Sequence, residues 1–363
     1  MQLFFDLLQV SIGARQDLSR CPTAEEWEEL WREARRQCVH GVCLEALQRE
    51  DGQWGERHHI PIDLKLRWIG KGEEIADANK KMDQQCRKLC EKLHASHRPC
   101  CILKGQGMAL LYPHPQWRQS GDIDVWVPTG RDELVEMARR VTGKHEEVTY
   151  HHTDFRVFPD TPVELHFTPS WMCNPVYNRR LQRWFRQHAA KECDWGRIEG
   201  ADAAGQPSFP ISSLEFNVLF ILVHILRHVL DEGIGMRQIV DYYFVLKAAR
   251  GNIRPDLSRL GLQRFTGGLM WMMHEALGLP EEWMIARPDE RRGRWLLAEV
   301  MTAGNFGHDD PRFIDRWHLT RRQRLCSRIR QTLHRCRVAP GEALWELPWR
   351  AWHFLWRWKK GYL

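Results

Sequence analysis

Gly121-Asp122-Ile123-Asp124-Val125-Trp126-Val127 has the alternation of a short β-strand. Successive side chains on such a strand point to opposite faces, so Asp122 and Asp124 share one face while Ile123, Val125 and Val127 share the other. The apolar face predicts a core beneath it. The acidic face needs a different explanation. Carboxylates held this close raise each other's pKa unless positive charge comes between them, and a divalent metal is the usual solution. Mg2+ serving a phosphate substrate is the expectation this stretch sets.

Working outward, Cys100-Cys101-Ile102-Leu103 is a short apolar run that fits a buried strand. It leads into Lys104-Gly105-Gln106-Gly107, after which Met108 to Leu111 look helical as far as Pro113. Downstream of the aspartates, Pro128-Thr129-Gly130 opens a helix expected over 131–141, followed by strand candidates at 150–158 and 163–167. In the last of these Glu164 and His166 fall on one face and the apolar residues on the other. If this strand lies beside the one carrying Asp122 and Asp124, three acids converge on one patch.

On either side the pattern is helical. Thr23 and Glu26 have capping-box spacing ahead of Trp27, Leu30 and Ala34, and residues 62–97 carry a rough 3.6-residue apolar period. Further helices are expected over 216–230 and 236–250, separated from the strands by a Gly-, Ala- and Pro-rich loop at 200–210. The chain therefore divides into a helical region (1–98), an α+β core with a small mixed sheet (99–170) and a second helical region (171–363). The latter ends in a basic run at 321–337 and a tail with Trp345, Trp349, Trp352, Trp356 and Trp358. That spacing describes a helix docking its aromatic stripe on the core with a solvated basic face, in preference to a nucleic-acid or membrane-surface element.

Composition narrows the class. The 363 residues are 43% apolar and 28% charged, the balance of an ordinary soluble globular protein. An excess of 53 Lys and Arg over 47 Asp and Glu suits an anionic substrate and does not demand nucleic acid. The first residues lack a basic n-region and a small-residue cleavage site, and no window is apolar for about 18 residues, so a soluble, cytoplasmic protein without a membrane span is expected. Eleven cysteines then read as reduced thiols. Cys86, Cys90 and His94 sit at i, i+4 and i+8, but no four-ligand set accompanies them, so buried thiols beside a solvated His are expected. His224 and His228 have metal-like i, i+4 spacing with Arg227 between them, which favours a structural or substrate-facing role. Arg237 and Asp241 read either as an i, i+4 surface bridge or as part of a cleft between sheet and helices.

Leu103-Lys104-Gly105, Tyr112-Pro113, Arg118-Gln119-Ser120-Gly121-Asp122-Ile123-Asp124 and Val163-Glu164-Leu165-His166 together resemble the polymerase-β-like nucleotidyltransferase superfamily, specifically its bacterial family of mostly uncharacterised members. His224-Ile225-Leu226-Arg227-His228 and Gly235-Met236-Arg237-Gln238-Ile239-Val240-Asp241 extend the resemblance, which covers about residues 99–310. It implies metal-dependent transfer of an NMP from an NTP, ATP among the candidates, to a hydroxyl-type acceptor with release of pyrophosphate. Asp122 and Asp124 would bind two Mg2+ ions, with Mn2+ as the other candidate, and Glu164 would hold the ion that activates the acceptor. Lys104, Gly105, Gln106, Gly107 and Arg118 would meet the triphosphate, although the superfamily's usual turn places a glycine or serine where Gln106 stands. His166, His224, Arg237 and Asp241 would face the cleft. A catalytically silent nucleotide- or partner-binding regulator on the same fold is the alternative.

Overall fold

The computed structural model describes residues 1–49, 53–197, 209–307 and 320–362. The expected α+β class is the one the chain adopts. Four short strands, β1 (Cys101–Leu103), β2 (Ile123–Trp126), β3 (His152–Asp154) and β4 (Val163–His166), form one sheet in the order β1-β2-β4-β3. β2 runs parallel to β4, and the outer pairs are antiparallel. A parallel pair needs a crossover, supplied here by α7 (Arg131–Thr142) and β3. The strand expected over 150–158 contracts to the three residues of β3.

The period of two predicted for β2 decides what each sheet face meets. Ile102, Ile123, Val125, Val163 and Leu165 lie on one face and pack with Leu134 and Ala138 of α7 in a core of their own. On the opposite face Cys101, Leu103 and Trp126 join a second, larger core. That core draws on residues from Phe4 to Ala343 and holds the leading helices together with the later ones. The leading helices are α1 (Gln2–Ser11), α2 (Ala24–Arg36), α3 (His40–Leu47), α4 (Gln53–Arg57) and α5 (Ile62–Ala95). After the short α6 (Gly105–Ala109) and the sheet come α8 (Pro175–Glu192), α9 (Leu214–Asp231), α10 (Met236–Ala249), α11 (Gln263–Leu277) and α12 (Glu290–Ala303).

The capping box read from Thr23 and Glu26 forms: Glu26 N donates to Thr23 Oγ1 at 3.3 Å and Thr23 N to Glu26 Oε2 at 2.9 Å. α5, 34 residues and so about 51 Å long, ties the two cores together. Leu64 and Trp68 belong to the helical core, whereas Met82, Cys86, Leu89, Cys90 and Leu93 belong to the core under the sheet. Cys86 and Cys90 are thus buried apolar packing, and every cysteine is a free thiol. The loop expected at 200–210 lies outside the described residues as far as 208. Among the described residues no helix is long and apolar enough to cross a membrane.

The C-terminal pair, α13 (Arg321–Arg335) and α14 (Pro340–Lys360), corrects one expectation. α14 does not dock an aromatic stripe with its charges in water. Its inward face is the charged one: Glu342 accepts hydrogen bonds from the Cys173 and Asn174 amides, Glu346 pairs with Arg335 and Arg350, and Arg357 pairs with Glu147. Trp349 and Trp356 are half-buried, and Trp345, Trp352 and Trp358 point outward. The ion pairs available on the body of the protein outweigh the apolar periodicity of the tail.

Close approach also fixes α3. A Cβ on Gly41 would come to 1.8 Å of the Trp117 carbonyl oxygen, in the turn that leads to β2. A backbone atom cannot swing aside, so Gly41→Ala is expected to destabilise the protein by about 2 kcal/mol or more. Gly70, in the middle of α5 with open space around it, gives the control: Gly70→Ala should hold or raise the melting temperature. Thermal unfolding of the two variants side by side measures the difference.

Candidate active site

The parallel pairing of β2 with β4 sets Asp124 directly beside Glu164, and the antiparallel pairing of β3 sets His152 opposite His166. These side chains share the sheet face turned toward α9 and α10. Lys104, just after β1, reaches in from that edge of the sheet, and its Nζ lies 2.9 Å from Asp124 Oδ1. Lys104 adopts φ 48°, rare for a residue with a side chain, at the turn between β1 and α6. Strain of this kind is tolerated where surrounding structure fixes the residue, here at the centre of the acid cluster. His166 Nε2 faces two carboxylates, Asp124 Oδ1 at 2.9 Å and Glu164 Oε2 at 3.2 Å, and must donate to them. His152 Nδ1 lies 3.0 Å from Glu164 Oε2.

These contacts separate the three acids electrically. Asp124, only 2% exposed, is pushed up by burial, but Lys104 and the hydrogen bond from His166 outweigh that and hold its carboxyl below the ordinary value. Burial also opposes ionisation of Glu164, and there the hydrogen bonds of His152 and His166 prevail and hold it well below. Asp122 accepts no such hydrogen bond among the described residues, and Lys104 and Arg237 offset only part of what raises it. The charge of Asp124, aided by burial, pushes it up to about 6. His166 and Lys104 are raised despite burial, by Asp124 above all. Two acids are thus firmly ionised, and one is poised near neutrality.

Around the cluster lies a cavity of about 450 Å³, within the range of small-molecule sites. Its wall includes Lys104, Gly105, Arg118, Asp122, Asp124, Glu164, His166, His224, Arg237 and Asp241, ten of the twelve residues picked out from the sequence. Gln106 and Gly107 lie behind it. The Gln106 amide donates to Asp83 Oδ1 at 2.6 Å and accepts from the Ser120 hydroxyl, while Gly107 packs against Ile102 and Ile211. α6 turns both residues away from the opening. Arg118 lines the cavity with its fork already engaged, Nε and Nη2 each donating to Asp241 at 2.7 Å. Asp241 also accepts from Tyr112 Oη at 2.6 Å, so of the two readings of Arg237 and Asp241 the i, i+4 bridge gives way to a place in the cleft wall, where Asp241 joins a pair that clamps the loop before β2 onto α10. Arg237 donates instead to the Gln119 carbonyl at 3.0 Å.

His151, His152, Trp171 and Asp231 also line the cavity and were not singled out from the sequence, and Arg227, named there only beside His224 and His228, joins them. Part of the signal was present. His224, Arg227, His228 and Asp231 fall at i, i+3, i+4 and i+7 on an otherwise apolar α9, a polar stripe that had to face something other than core. Burial and Lys104 drive His224 well below the ordinary value, and His228 down to about 3, so both are neutral. Trp171 gave no signal. It reaches the site through a chain turn and stacks on Trp349 of α14 at 5.6 Å. Behind His151, His152 and Trp171 lies a second cavity of about 470 Å³, walled on its far side by Glu346, Trp349 and Arg350.

The donor set fits a divalent cation. Ligand atoms of Asp124, Glu164 and His166 lie within 4.8 Å of one another, as do those of His151, His152 and His166. Asp122 falls outside both groups. Oxygen and imidazole donors together suit Mn2+ or Zn2+ at least as well as Mg2+, which prefers oxygen alone.

The site is thus an acid cluster on a small mixed sheet, roofed by helices and fronted by cations. Residues 23–278 match the family model described as "Uncharacterised nucleotidyltransferase", and the chain belongs to that family. Among solved structures the chain is similar to an antigenic nucleotidyltransferase-like protein from Paracoccidioides brasiliensis, with 15% identity over 59% of this chain and 97% of that one and a TM-score of 0.33. No curated protein matches the chain.

The two carboxyls of contrasting environment make a paired test. Asp241→Asn removes the carboxylate paired with the buried Arg118 and is expected to cost about 3–5 kcal/mol. Asp122→Asn removes a repelled carboxylate and should not lower the melting temperature at pH 7.5. Because the folded Asp122 pKa is raised, the native state holds its proton more tightly than the unfolded chain. Native stability therefore falls as pH rises from about 4 to about 6, and Asp122→Asn should escape that loss. Melting curves at pH 5 and pH 7.5 should show the variant gaining on the parent at the higher pH.

Proposed function

We propose that this chain transfers a nucleoside monophosphate from an NTP to a hydroxyl-bearing acceptor, with a divalent cation and with release of pyrophosphate. The observation that carries the reading is the parallel register that sets Asp124 beside Glu164 on the cavity face, with Asp122 and Lys104 at the same opening. Asp124, Glu164 and His166 would hold the cation, after the His166 proton that now bridges the two carboxylates has left. Such an ion supplies charge stabilisation to the entering and leaving oxygens of an in-line displacement.

The remaining work falls to side chains. Lys104 and Arg237 present positive charge to the phosphates from two sides of the cavity, and Gly105 brings backbone close to them. The acceptor oxygen forms the new bond to the α-phosphorus as the α–β bridge breaks. Its proton passes to the ionised carboxylates, of which Glu164, at 27% side-chain exposure, is the more accessible member. Arg118 acts through Asp241, holding the loop that carries Asp122 and so positioning the site. The second cavity, sharing His151, His152 and Trp171 with the first, is where the acceptor would lie.

Each of the four NTPs, labelled at the α-phosphate and incubated first alone and then with cell extract, should reveal which molecules acquire label and whether pyrophosphate is released. Asp124→Asn should reduce transfer at least about 100-fold, as loss of a principal charge-stabilising group does, with the fold retained by circular dichroism. Unchanged transfer in that variant would sink the proposal. One observation favours a second reading: Lys104 and His166 already balance Asp124, as they would in a site that binds nucleotide without turning it over. NTP binding in a chain that labels nothing would favour that reading.

A further inference from the structure

The outward half of α14 is built the wrong way round for a helix facing water. Along it lie Leu344, Trp345, Trp352, Phe354, Leu355 and Trp358, between 43% and 69% exposed. Pro348 and Ala351 complete the face, which carries no charge between Leu344 and Trp358. All three charged residues of that stretch, Glu346, Arg350 and Arg357, turn inward and are paired. On the neighbouring α13, Ile329 and Leu333 are likewise exposed, at 42% and 63%. Eight of the thirteen exposed large apolar side chains of the described residues thus fall on these two helices, which contact each other, and that concentration is more than scattered exposure.

The charge around this surface says what covers it. Residues 320–362 contain eleven Lys and Arg against two Glu, and both Glu, at 342 and 346, are buried. Arg322, Arg330, Lys359 and Lys360 are exposed on the same two helices, Lys360 with its ammonium on Asp132. We propose that α14, with the basic α13 beside it, seats the protein on an anionic phospholipid surface, the outward Trp, Phe and Leu side chains entering the headgroup region and the exposed Lys and Arg meeting lipid phosphates. Tryptophan suits that depth because its ring is apolar with a polar N–H edge. A second copy of the chain is a poorer occupant, since a symmetric pairing would bring two basic helix pairs together. Among the described residues no helix is long and apolar enough to span, so α14 lies in the interface plane. Its inner face meanwhile lines the second cavity, so lipid contact and that cavity share one helix.

Co-sedimentation of the full chain with vesicles tests the proposal. Vesicles of phosphatidylcholine with about 30% phosphatidylglycerol are expected to pellet the protein at least about ten-fold more effectively than phosphatidylcholine alone, and about 0.5 M NaCl should weaken the binding. The double variant Leu355→Glu/Trp358→Glu, at outward positions, should lose at least about ten-fold in binding with its melting temperature unchanged. In the unmodified chain, brominated acyl chains in the same vesicles should quench part of the tryptophan emission. Absence of pelleting with anionic vesicles, or pelleting indifferent to the double variant, overturns the proposal. Concentration-dependent dimerisation without vesicle binding, abolished by the same variant, also overturns it and assigns the face to a second copy.

Discussion

Lys104 Nζ and Asp124 Oδ1 meet at 2.9 Å in the centre of the molecule, and around that contact a whole set of buried charges is balanced. Asp124 and Glu164 stand on one sheet face and Asp122 lies just ahead of β2 at the same opening, where water cannot fully solvate them. Without compensation such carboxylates would take up protons. Lys104 supplies the nearest positive charge at the expense of a strained backbone, and His166 supplies a proton shared between Asp124 and Glu164. The helices then have to roof the sheet without adding further uncompensated charge. α9 does so with neutral His224 and His228 and with Arg227 paired to Asp231. α10 does so by giving Asp241 to Arg118.

The same arrangement links stability to chemistry. Asp122 is left as the least compensated acid, its carboxyl pushed up to about 6 by Asp124 and by burial. A site that concentrates buried negative charge destabilises its own folded state, and the two cores must offset that loss. Arg118–Asp241 illustrates how. The pair, with Tyr112 as a third member, is buried and well matched in geometry, and it fixes the loop that presents Asp122 against the helical half. Membership of the nucleotidyltransferase family fits this arrangement, in which positioning and electrostatics dominate.

The tail shows the opposite use of charge. In α14 the ionic contacts face the body of the protein, and the apolar surface faces out. A helix normally settles with its apolar stripe on the core because burying that stripe stabilises more than pairing its charges does. Here Asp231, Arg335, Glu147 and the Cys173 and Asn174 amides offer enough specific partners to reverse the orientation.

Local pattern carried much of this into the sequence. The alternation around Asp122 and Asp124, the Thr23 capping box and the long apolar period ending near Pro99 each depend on neighbours a few residues apart, and each formed where expected. So did the common face of Glu164 and His166. Register was a different matter. Asp124 stands beside Glu164 only because β4 pairs parallel to β2, a contact 40 residues apart in the chain that no local rule specifies. Partner choice was also beyond local reading: Arg118 took Asp241, Gln106 took Asp83 and Ser120, and the charges of α14 took the protein body. Those selections follow from which groups the fold leaves buried and unpaired at the same point in space, and a buried charge accepts whatever compensation lies within reach. The sequence by itself settled the class of fold and the strand alternation that sends Asp124, Glu164 and His166 to one face. The tertiary structure alone decided how those acids are charged, what holds them in place and which face of the last helix meets the outside.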